Sequence, residues 1–529
     1  MRPLTVGHLA RAADGLERGS TEPEGEGGFG APLFDNPDAR RLKRVGVIDI
    51  GSNSVRMVVF DGAARSPAYY FNEKILCGLG AGFAETGRLN AQGRVRALAA
   101  LKRFAALGRS MQVAPLLTVA TAAVRDAEDG PEFRAEVRAA TGISMHVLPG
   151  TEEARLSAQG VLLGWPGAQG LVCDIGGSSL ELASLEGDGR IGDCRSVDLG
   201  PLKLMGLKGG KKARRAHIDD RLARLMEVFE TRPKRLFLVG GSWRAIARID
   251  MERRGYPLKV LHEYRMRPKD VRATIRYIEK ADIEELRGRT GTSAERMRLV
   301  PIAAEVLKRL VRVVKPEEVA ISSYGIREGL LYEQMSDPLR HRDPLIEAAR
   351  HAEAQSARMP GFGRELYDFV LPLFPRAKAS KRRLIKAACL LHDVSWRAHP
   401  DYRAELCFDN ATRANLGGLT HAERVFLGLA LLHRYKSSRQ GTNFEPLLSI
   451  LSERQIQEAE ILGRAMRLGA MFTTDKPRKH GQLKHSPKRG VLNLKLRTDL
   501  GRALFGEVSR ARFEALAGAM GAEAEVSGA

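Results

Sequence analysis

Two aspartates stand in nearly identical sequence settings in the first half of the chain. Asp49 lies in VIDIGSNS (47–54), and Asp174 lies in VCDIGGSS (172–179). Each copy is an apolar run that ends in Asp-Ile-Gly, continues with small polar residues and is followed by a second apolar run. This pattern predicts two β-hairpins with glycine-containing turns. A carboxylate beside free backbone N–H groups and small hydroxyls suits phosphate oxygens and a divalent cation. We therefore expect the two copies to face each other across a cleft.

Two more turns rich in glycine and serine follow predicted strands, VGGS (239–242) and SSYG (322–325). In α/β proteins ligands bind at such strand ends. One glycine turn alone needs no ligand, because tight hairpins require glycine anyway, so it is the repetition that predicts a phosphate site. The predicted phosphate-binding residues of the turns are Gly51, Ser52, Asn53, Ser54, Gly176, Gly177, Ser178, Gly240, Gly241 and Ser242.

A helix is expected to start at GTEEAR (150–155), with Thr151 as its N-cap and two glutamates in the first turn. The glutamates could simply complement the helix dipole. Beside a phosphate cleft, one of them could take a proton from a water that attacks phosphorus. Arg125 follows another predicted strand and is either a surface ion pair or a clamp for phosphate oxygens.

The pair His392-Asp393 ends an apolar helix predicted over 384–391, and His351, His399, His421 and His433 lie in the same region. Histidine and aspartate ligands on neighbouring helices could bind a divalent metal for phosphohydrolysis. The alternative is that these histidines are structural or lie on the surface.

Alternating strands and helices between residues 44 and 335 predict an α/β layer architecture, and the pattern from 345 to about 472 is almost wholly helical. The main predicted elements are helices at 91–110, 131–141, 216–230, 326–335 and 508–520, and strands at 116–120, 145–148, 235–239, 319–322 and 491–496. The predicted domains are a disordered tail (1–41), two α/β domains (42–165 and 166–336), a helical domain (345–474) and a basic segment with a small terminal unit (475–529).

The net charge of +22 favours a polyanionic partner, although it also suits general solubility. Five cysteines without a CxxC spacing predict a reducing, cytoplasmic location. The sequence has no apolar run of about 20 residues, so we expect no membrane partner. We also expect no specific nucleic-acid partner.

Residues 44–335 resemble the exopolyphosphatase/guanosine pentaphosphate phosphohydrolase family, within the sugar kinase–heat-shock 70–actin superfamily. The matching segments, in family order, are VIDIGSNSVRMVVF (47–60), ATAAVRDAEDG (120–130), VLPGTEEARLSAQGV (147–161), LVCDIGGSSLELASL (171–185), LVGGSWRAIARI (238–249) and SSYGIREGLLYE (322–333). The helical region around His392-Asp393 is similar to the HD-type domain of the long members. Its HDVSW sequence lacks the usual Gly and Lys after the dyad, which indicates a degenerate, structural module.

The resemblance implies an α/β fold class with two ribonuclease-H-like (actin/Hsp70/sugar-kinase type) domains around a cleft, then an all-α HD-like domain and a small C-terminal unit. It also implies that Glu153 is the catalytic glutamate, that Asp174 and Glu181 lie near the divalent cation, and that Arg125 contacts phosphate. The repeat is unequal, because Arg56 stands seven residues after Asp49 whereas Glu181 stands seven after Asp174. The second copy is thus expected to be the metal side.

By this resemblance, the expected function is exopolyphosphatase activity, the hydrolysis of terminal phosphoanhydride bonds of inorganic polyphosphate, with Mg²⁺ or another divalent cation and a homodimeric assembly. Hydrolysis of guanosine pentaphosphate at the same site is the nearest alternative. A kinase is less favoured, because Trp243 and Arg244 are bulky where adenosine would bind. A non-enzymatic polyphosphate-binding protein is the remaining alternative.

Overall fold

The computed structural model describes residues 44–528, which form two compact units at 44–342 and 343–528. The division lies within the proline-containing segment 336–344. The tail predicted over 1–41 lies outside the described residues.

The first unit contains two mixed sheets. Across residues 44–342, the strand order of the first sheet is β3-β2-β1-β4-β5, and that of the second is β10-β11-β9-β6-β7-β8. The strands are β1 (Val45–Ile50), β2 (Ser54–Phe60), β3 (Tyr69–Leu76), β4 (Leu116–Ala120), β5 (His146–Val147), β6 (Gln169–Ile175), β7 (Leu180–Glu186), β8 (Ile191–Val197), β9 (Arg235–Val239), β10 (Arg265–Met266) and β11 (Glu318–Ile321).

Helices connect these strands and enclose two apolar cores, one for each sheet. They are α1 (Phe83–Thr86), α2 (Ala91–Ser110), α3 (Ala122–Asp126), α4 (Gly130–Thr141), α5 (Gly150–Gly164), α6 (Pro201–Met205), α7 (Gly210–Met226), α8 (Gly241–Arg253), α9 (Pro268–Lys280), α10 (Ile283–Thr290), α11 (Ala294–Val314), α12 (Ile326–Glu333) and α13 (Asp337–Arg340).

The two Asp-Ile-Gly motifs form hairpins with the same register. Asp49 on β1 pairs with Arg56 on β2, and Asp174 on β6 pairs with Glu181 on β7. β1 also pairs in parallel with β4, as β6 does with β9. A residue seven positions after each aspartate therefore lies directly opposite it, so the sequence difference between Arg56 and Glu181 becomes a charge difference between two equivalent places.

Helices α5 and α12 cross in direct backbone contact. A Cβ atom at Gly160 would lie 2.3 Å from the carbonyl oxygen of Gly325, and one at Gly329 would lie 1.9 Å from that of Leu156. No side chain larger than hydrogen fits at such distances, so the crossing requires glycine at both places.

Two local predictions differ from the structure. Pro149, not Thr151, is the N-cap of α5, because the helix already begins at Gly150 after the extended backbone of Pro149 (ψ 151°). The helix predicted at 216–230 is α7, which begins at Gly210 after the left-handed backbone of Gly209 (φ 95°) and ends at Met226.

The second unit is helical, with a small sheet near its C-terminal end. Within residues 343–528 the sheet has the order β12-β13-β14, of which only β13 is predicted from the sequence. Its elements are α14 (Pro344–Ser356), α15 (Phe362–Val370), a 3₁₀ turn (Leu371–Leu373), α16 (Ala379–Leu391), α17 (Pro400–Arg413), α18 (His421–His433), α19 (Glu445–Leu448), α20 (Glu453–Phe472), α21 (Pro477–His480), β12 (Gly481–Ser486), β13 (Val491–Leu496), α22 (Asp499–Leu504), α23 (Glu507–Ala519) and β14 (Glu523–Ser527). Throughout residues 44–528, the helices are too short or too polar to cross a membrane.

Candidate active site

One cleft in the first unit is lined by residues from all four glycine-rich turns. It contains every sequence-predicted phosphate-binding turn residue, the predicted base and both predicted metal ligands. These are Gly51, Ser52, Asn53, Ser54, Gly176, Gly177, Ser178, Gly240, Gly241, Ser242, Glu153, Asp174 and Glu181. The SSYG turn contributes Gly325. Arg125 does not line the cleft.

The two hairpin turns contact each other at the floor of the cleft. In each, the glycine N–H donates a 3.0 Å hydrogen bond to the serine carbonyl three residues later, from Gly51 to Ser54 and from Gly176 to Ser179. A Cβ atom at Gly177 would lie 2.1 Å from Ser52 Oγ. Glycine at 177 therefore lets the turns approach this closely without a shift of the Ser52 side chain.

Three carboxylates, of which Glu153 and Glu181 are buried and Asp174 is half-buried, form the acidic part of the cleft. Ser157, one helical turn after Glu153 on α5, donates from Oγ to Asp174, and Ser196 Oγ donates to Glu181 over 2.9 Å. Burial raises the pKa of the Asp174 carboxyl, against the effect of the Ser157 hydrogen bond. Burial and the nearby Asp174 raise the pKa of Glu181 in the same way. A cation among these groups would favour their ionised forms.

Arg125 forms an ion pair with Glu153. Its Nη1 donates to Glu153 Oε1 and, over 3.0 Å, to the carbonyl of Leu148, while its Nε donates to Asp126. Burial and then Glu181 raise the pKa of Glu153 well above its ordinary value, and Arg125 opposes that rise. Arg125 thus holds the predicted base in place.

The lining of the cleft is also strongly basic. Its cationic side chains, among the described residues, are Arg56, Lys74, Arg244, Arg296 and Arg327. Arg327 Nη1 lies 4.0 Å from Asp49 Oδ2. Burial, together with Arg327 and Arg296, lowers the pKa of Arg244 to about 10. So many guanidinium groups in a partly desolvated cleft indicate an anionic ligand with several charges.

Sequence reasoning noted Arg56 but did not identify the other four cations as site residues. Arg327 sits in the REG segment directly after the SSYG turn, a position that could have drawn attention to it. Arg296 lies on α11, about fifty residues after the third turn, and shows no sequence signal of its own. It reaches the cleft by packing over the third turn, where a Cβ atom at Gly241 would overlap its Nη1 at 1.5 Å.

Trp243 does not block the cleft. Its side chain is fully buried in the core of the second sheet, while the neighbouring Arg244 lines the cleft. Of these two bulky residues, only Arg244 is therefore placed to obstruct an adenosine pocket.

The acidic side has the chemistry of a partial site for a hard divalent cation. Mg²⁺ is commonly held by one or two carboxylates and completed by water and substrate phosphate oxygens. Asp174 and Glu181 provide such a pair, whose pKa values are raised mainly by burial and further by a neighbouring carboxylate. In residues 44–528 no group of three or more His, Cys, Asp or Glu side chains is arranged to hold a metal unaided.

His392 and Asp393 are buried in the second unit and engaged with protein groups. His392 Nδ1 lies 2.8 Å from the carbonyl oxygen of Cys389. Arg358 donates to both oxygens of Asp393, over 2.8 and 2.6 Å. Within the described residues, His351, His399, His421 and His433 do not form a group of three or more potential metal ligands with the dyad.

The sheets and helices of the first unit define a fold class, that of proteins built from two actin-like α/β halves around a cleft. A crystal structure of an exopolyphosphatase from Cytophaga hutchinsonii shares this fold, with a TM-score of 0.50 and 23% identity over 55% of this chain and 97% of that one. The predicted fold class is thereby confirmed.

Sequence comparisons identify the family. The model described as the Ppx/GppA phosphatase family matches residues 58–337, and the model described as exopolyphosphatase, C-terminal, matches residues 345–526. The chain belongs to the Ppx/GppA phosphatase family. Exopolyphosphatase 1 of Mycobacterium tuberculosis is 28% identical over 321 residues, which cover 58% of this chain and 92% of that protein. The Mycobacterium leprae protein of the same name is 25% identical over 55% of this chain and 89% of its own length.

Proposed function

We propose that the protein is an exopolyphosphatase that releases orthophosphate from the end of inorganic polyphosphate. The observation that carries the proposal is the composition of the cleft, whose lining combines the carboxylates of Glu153, Asp174 and Glu181 with several guanidinium groups. The relatives named exopolyphosphatase support the same substrate. A linear polyanion can lay its terminal phosphate against the glycine turns and its following phosphates along the basic side chains.

In this mechanism Glu153 orients a water molecule and takes its proton as the water oxygen attacks the terminal phosphorus. The P–O bond to the rest of the chain breaks, the shortened polymer leaves as an oxyanion, and orthophosphate is released. Backbone N–H groups of the turns bind the phosphoryl oxygens. A divalent cation, Mg²⁺ by preference, would neutralise negative charge on those oxygens when held by Asp174 and Glu181.

The raised pKa of Glu153 suits this role. A carboxylate with an ordinary pKa is a weak base near neutral pH, whereas burial and Glu181 make this one more basic. Arg125 limits the rise in the pKa of Glu153 and holds the Glu153 side chain by an ion pair. We therefore assign to Arg125 the positioning of Glu153, and not the direct phosphate contact that the sequence resemblance implies.

The test is Glu153→Gln compared with the matched control Glu152→Gln. Glu152 is the preceding residue, pairs with Arg155 and does not line the cleft. We expect Glu153→Gln to lose at least a hundredfold in kcat on long-chain polyphosphate while binding it with near-normal affinity, and Glu152→Gln to stay near wild type. Near-normal turnover by Glu153→Gln would show that the base is another group.

Parallel kinetics on polyphosphate and guanosine pentaphosphate test the substrate. We expect the larger kcat/KM on polyphosphate, and a larger value on the nucleotide would replace this assignment by the alternative. Homodimeric assembly and a cytoplasmic location belong to the same proposal. Sedimentation of the purified chain and fractionation of cells would test them.

A further inference from the structure

Three arginines surround Tyr435 in the second unit, beside His392 and Asp393. We call Arg358, Arg403 and Arg434 the arginine cluster. The guanidinium carbons of Arg434 and Arg403 lie 4.7 and 5.5 Å from the centre of the Tyr435 ring. Tyr435 donates from its hydroxyl to the carbonyl of His392 over 2.9 Å. Asp393 is an acidic neighbour of the cluster, and it is already bound by Arg358 through both carboxylate oxygens.

Arg434 is a buried residue whose Nε–H lacks a hydrogen-bonding partner. The residue is 6% exposed, and burial lowers the pKa of its guanidinium. Among residues 44–528 no carboxylate or carbonyl oxygen accepts a hydrogen bond from its Nε, and the same holds for Arg403 Nε, although Arg403 Nη2 donates to the carbonyl of Ala398 over 3.1 Å. Buried N–H groups are nearly always paired, because the loss of hydration is otherwise uncompensated. Two unpaired Nε–H groups in one cluster thus point to an acceptor that the protein does not itself supply.

We propose that the arginine cluster is a second anion site, separate from the catalytic cleft, and that it binds an oxyanion of the phosphate class. The planar fork of arginine matches the tetrahedral oxygens of phosphate and can donate two hydrogen bonds to them. Arg434 would bind the ligand from the buried side of the cluster, with Arg403 beside it. Arg358, whose side chain is 46% exposed, marks the side of the cluster that is open to solvent.

The remains of an HD-type dyad agree with this reading. A metal at His392 and Asp393 would require ionised, unpaired ligands, but Asp393 is neutralised by Arg358 and lies near Arg434. The local excess of positive charge repels a metal ion and attracts an anion. The place where related modules would hold a cation is therefore suited here to a phosphate group.

The experiment counts binding sites by calorimetry in the full chain carrying Glu153→Gln, so that polymer is not consumed. Tripolyphosphate, orthophosphate and sulfate are titrated separately into this parent, into the same chain with Arg434→Met and into a control with Arg454→Met. Arg454 is 87% exposed, lies in the same unit and pairs only with Glu458 in the described structure.

We expect tripolyphosphate or orthophosphate to fill two sites in the parent and the control, and one site in Arg434→Met. If Arg434→Met loses the second site for orthophosphate alone, the ligand is free phosphate. If it loses the second site for tripolyphosphate alone, the ligand is the end of a polyphosphate chain. Equal site numbers in parent and Arg434→Met would overturn the proposal, as would equal binding of sulfate and phosphate.

Thermal unfolding separates a binding role from a structural one. If Arg434 binds the anion, Arg434→Met melts at or above the parent melting temperature in phosphate-free buffer, because a desolvated charge has been removed. Added phosphate then raises its melting temperature by less than it raises that of the parent. If Arg434→Met melts several degrees lower and responds to phosphate as the parent does, Arg434 is structural. Arg434→Lys keeps the charge without the fork, and it should bind phosphate at least tenfold more weakly.

Discussion

Ser157 donates a hydrogen bond from its Oγ to Asp174, and it does so from the helical turn that follows Glu153 on α5. The side chain of Ser157 is 1% exposed, so no water replaces this hydrogen bond. The helix of the proposed base is thereby connected to the carboxylate of the second hairpin. The Ser157 hydroxyl thus connects the helix that carries the proposed base, Glu153, with the proposed cation ligand Asp174.

Ser157→Ala should weaken Mg²⁺ binding, and so raise the Mg²⁺ concentration that activity requires, with little effect on the stability of the fold. Loss of a hydrogen bond that orients a metal-binding carboxylate typically costs about 10–100-fold in metal affinity or activity. The measurement is the Mg²⁺ concentration that gives half-maximal phosphate release. Ser509→Ala, at a buried serine of the second unit, is the control. An unchanged Mg²⁺ requirement in Ser157→Ala would remove Asp174 from the proposed cation site.

Arg125→Gln should move the acidic limb of the pH–rate profile to higher pH. Arg125 lowers the pKa of Glu153, so its removal raises that pKa and leaves less ionised base at a given pH. The profile of kcat/KM between pH 5 and 9 measures the shift. If Arg125 acts instead by contacting phosphate, KM rises and the limb stays where it is.

Arg327→Gln should raise KM for polyphosphate by about 10–100-fold, because a hydrogen bond to a charged group contributes about 1.5–3 kcal/mol. Arg327 lines the cleft and lies near Asp49. The difference in KM between Arg327→Gln and wild type should shrink as salt is added, because counterions screen the attraction between Arg327 and polyphosphate. Arg312→Gln, at an arginine whose side chain is 67% exposed and pairs with Asp219, is the control and should change KM less than twofold.

His433 should make the second unit acid-labile. Burial lowers its pKa to about 4, whereas an unfolded histidine has a pKa near 6.5. The folded state therefore binds fewer protons than the unfolded state between these values. Its stabilisation is complete above pH 6.5 and is lost as pH falls toward 4, by at most about 3 kcal/mol. The free energy of unfolding is measured at pH 7 and pH 4.5. Its change between the two pH values should be smaller for His433→Gln than for the exposed control His399→Gln, and an equal change would contradict this account.

The sequence predicted the turns of the cleft because their function is encoded locally. A glycine turn between two short apolar runs is a local signal for a hairpin. The two hairpins form as predicted, and the structure adds the register that sets Asp49 opposite Arg56 and Asp174 opposite Glu181. Helix α2 and strand β4 have their predicted bounds for the same reason.

The residues that the sequence did not reveal depend on packing between distant segments. Arg296 reaches the cleft only because α11 lies across the start of α8, and Arg125 turns toward Glu153 because α3 and α5 begin at neighbouring strand ends. Side-chain preference favours Thr151 as the N-cap of α5, because threonine is a common N-cap residue. The helix begins earlier, at Gly150, and Pro149 is its N-cap without a side-chain hydrogen bond, so the N-cap prediction was wrong.

The close crossing of α5 and α12 has a consequence for the distances within the cleft. α5 carries Glu153 and α12 carries Arg327, and the two helices touch through the backbones at Gly160 and Gly329. A single methyl group at either glycine would force the helices apart, and with them the proposed base and Arg327. A random mutational screen for lost activity should therefore return these two positions, although neither has a functional group and neither lines the cleft. The spacing of two charged site residues thus depends on two positions at which the helices require the absence of a side chain.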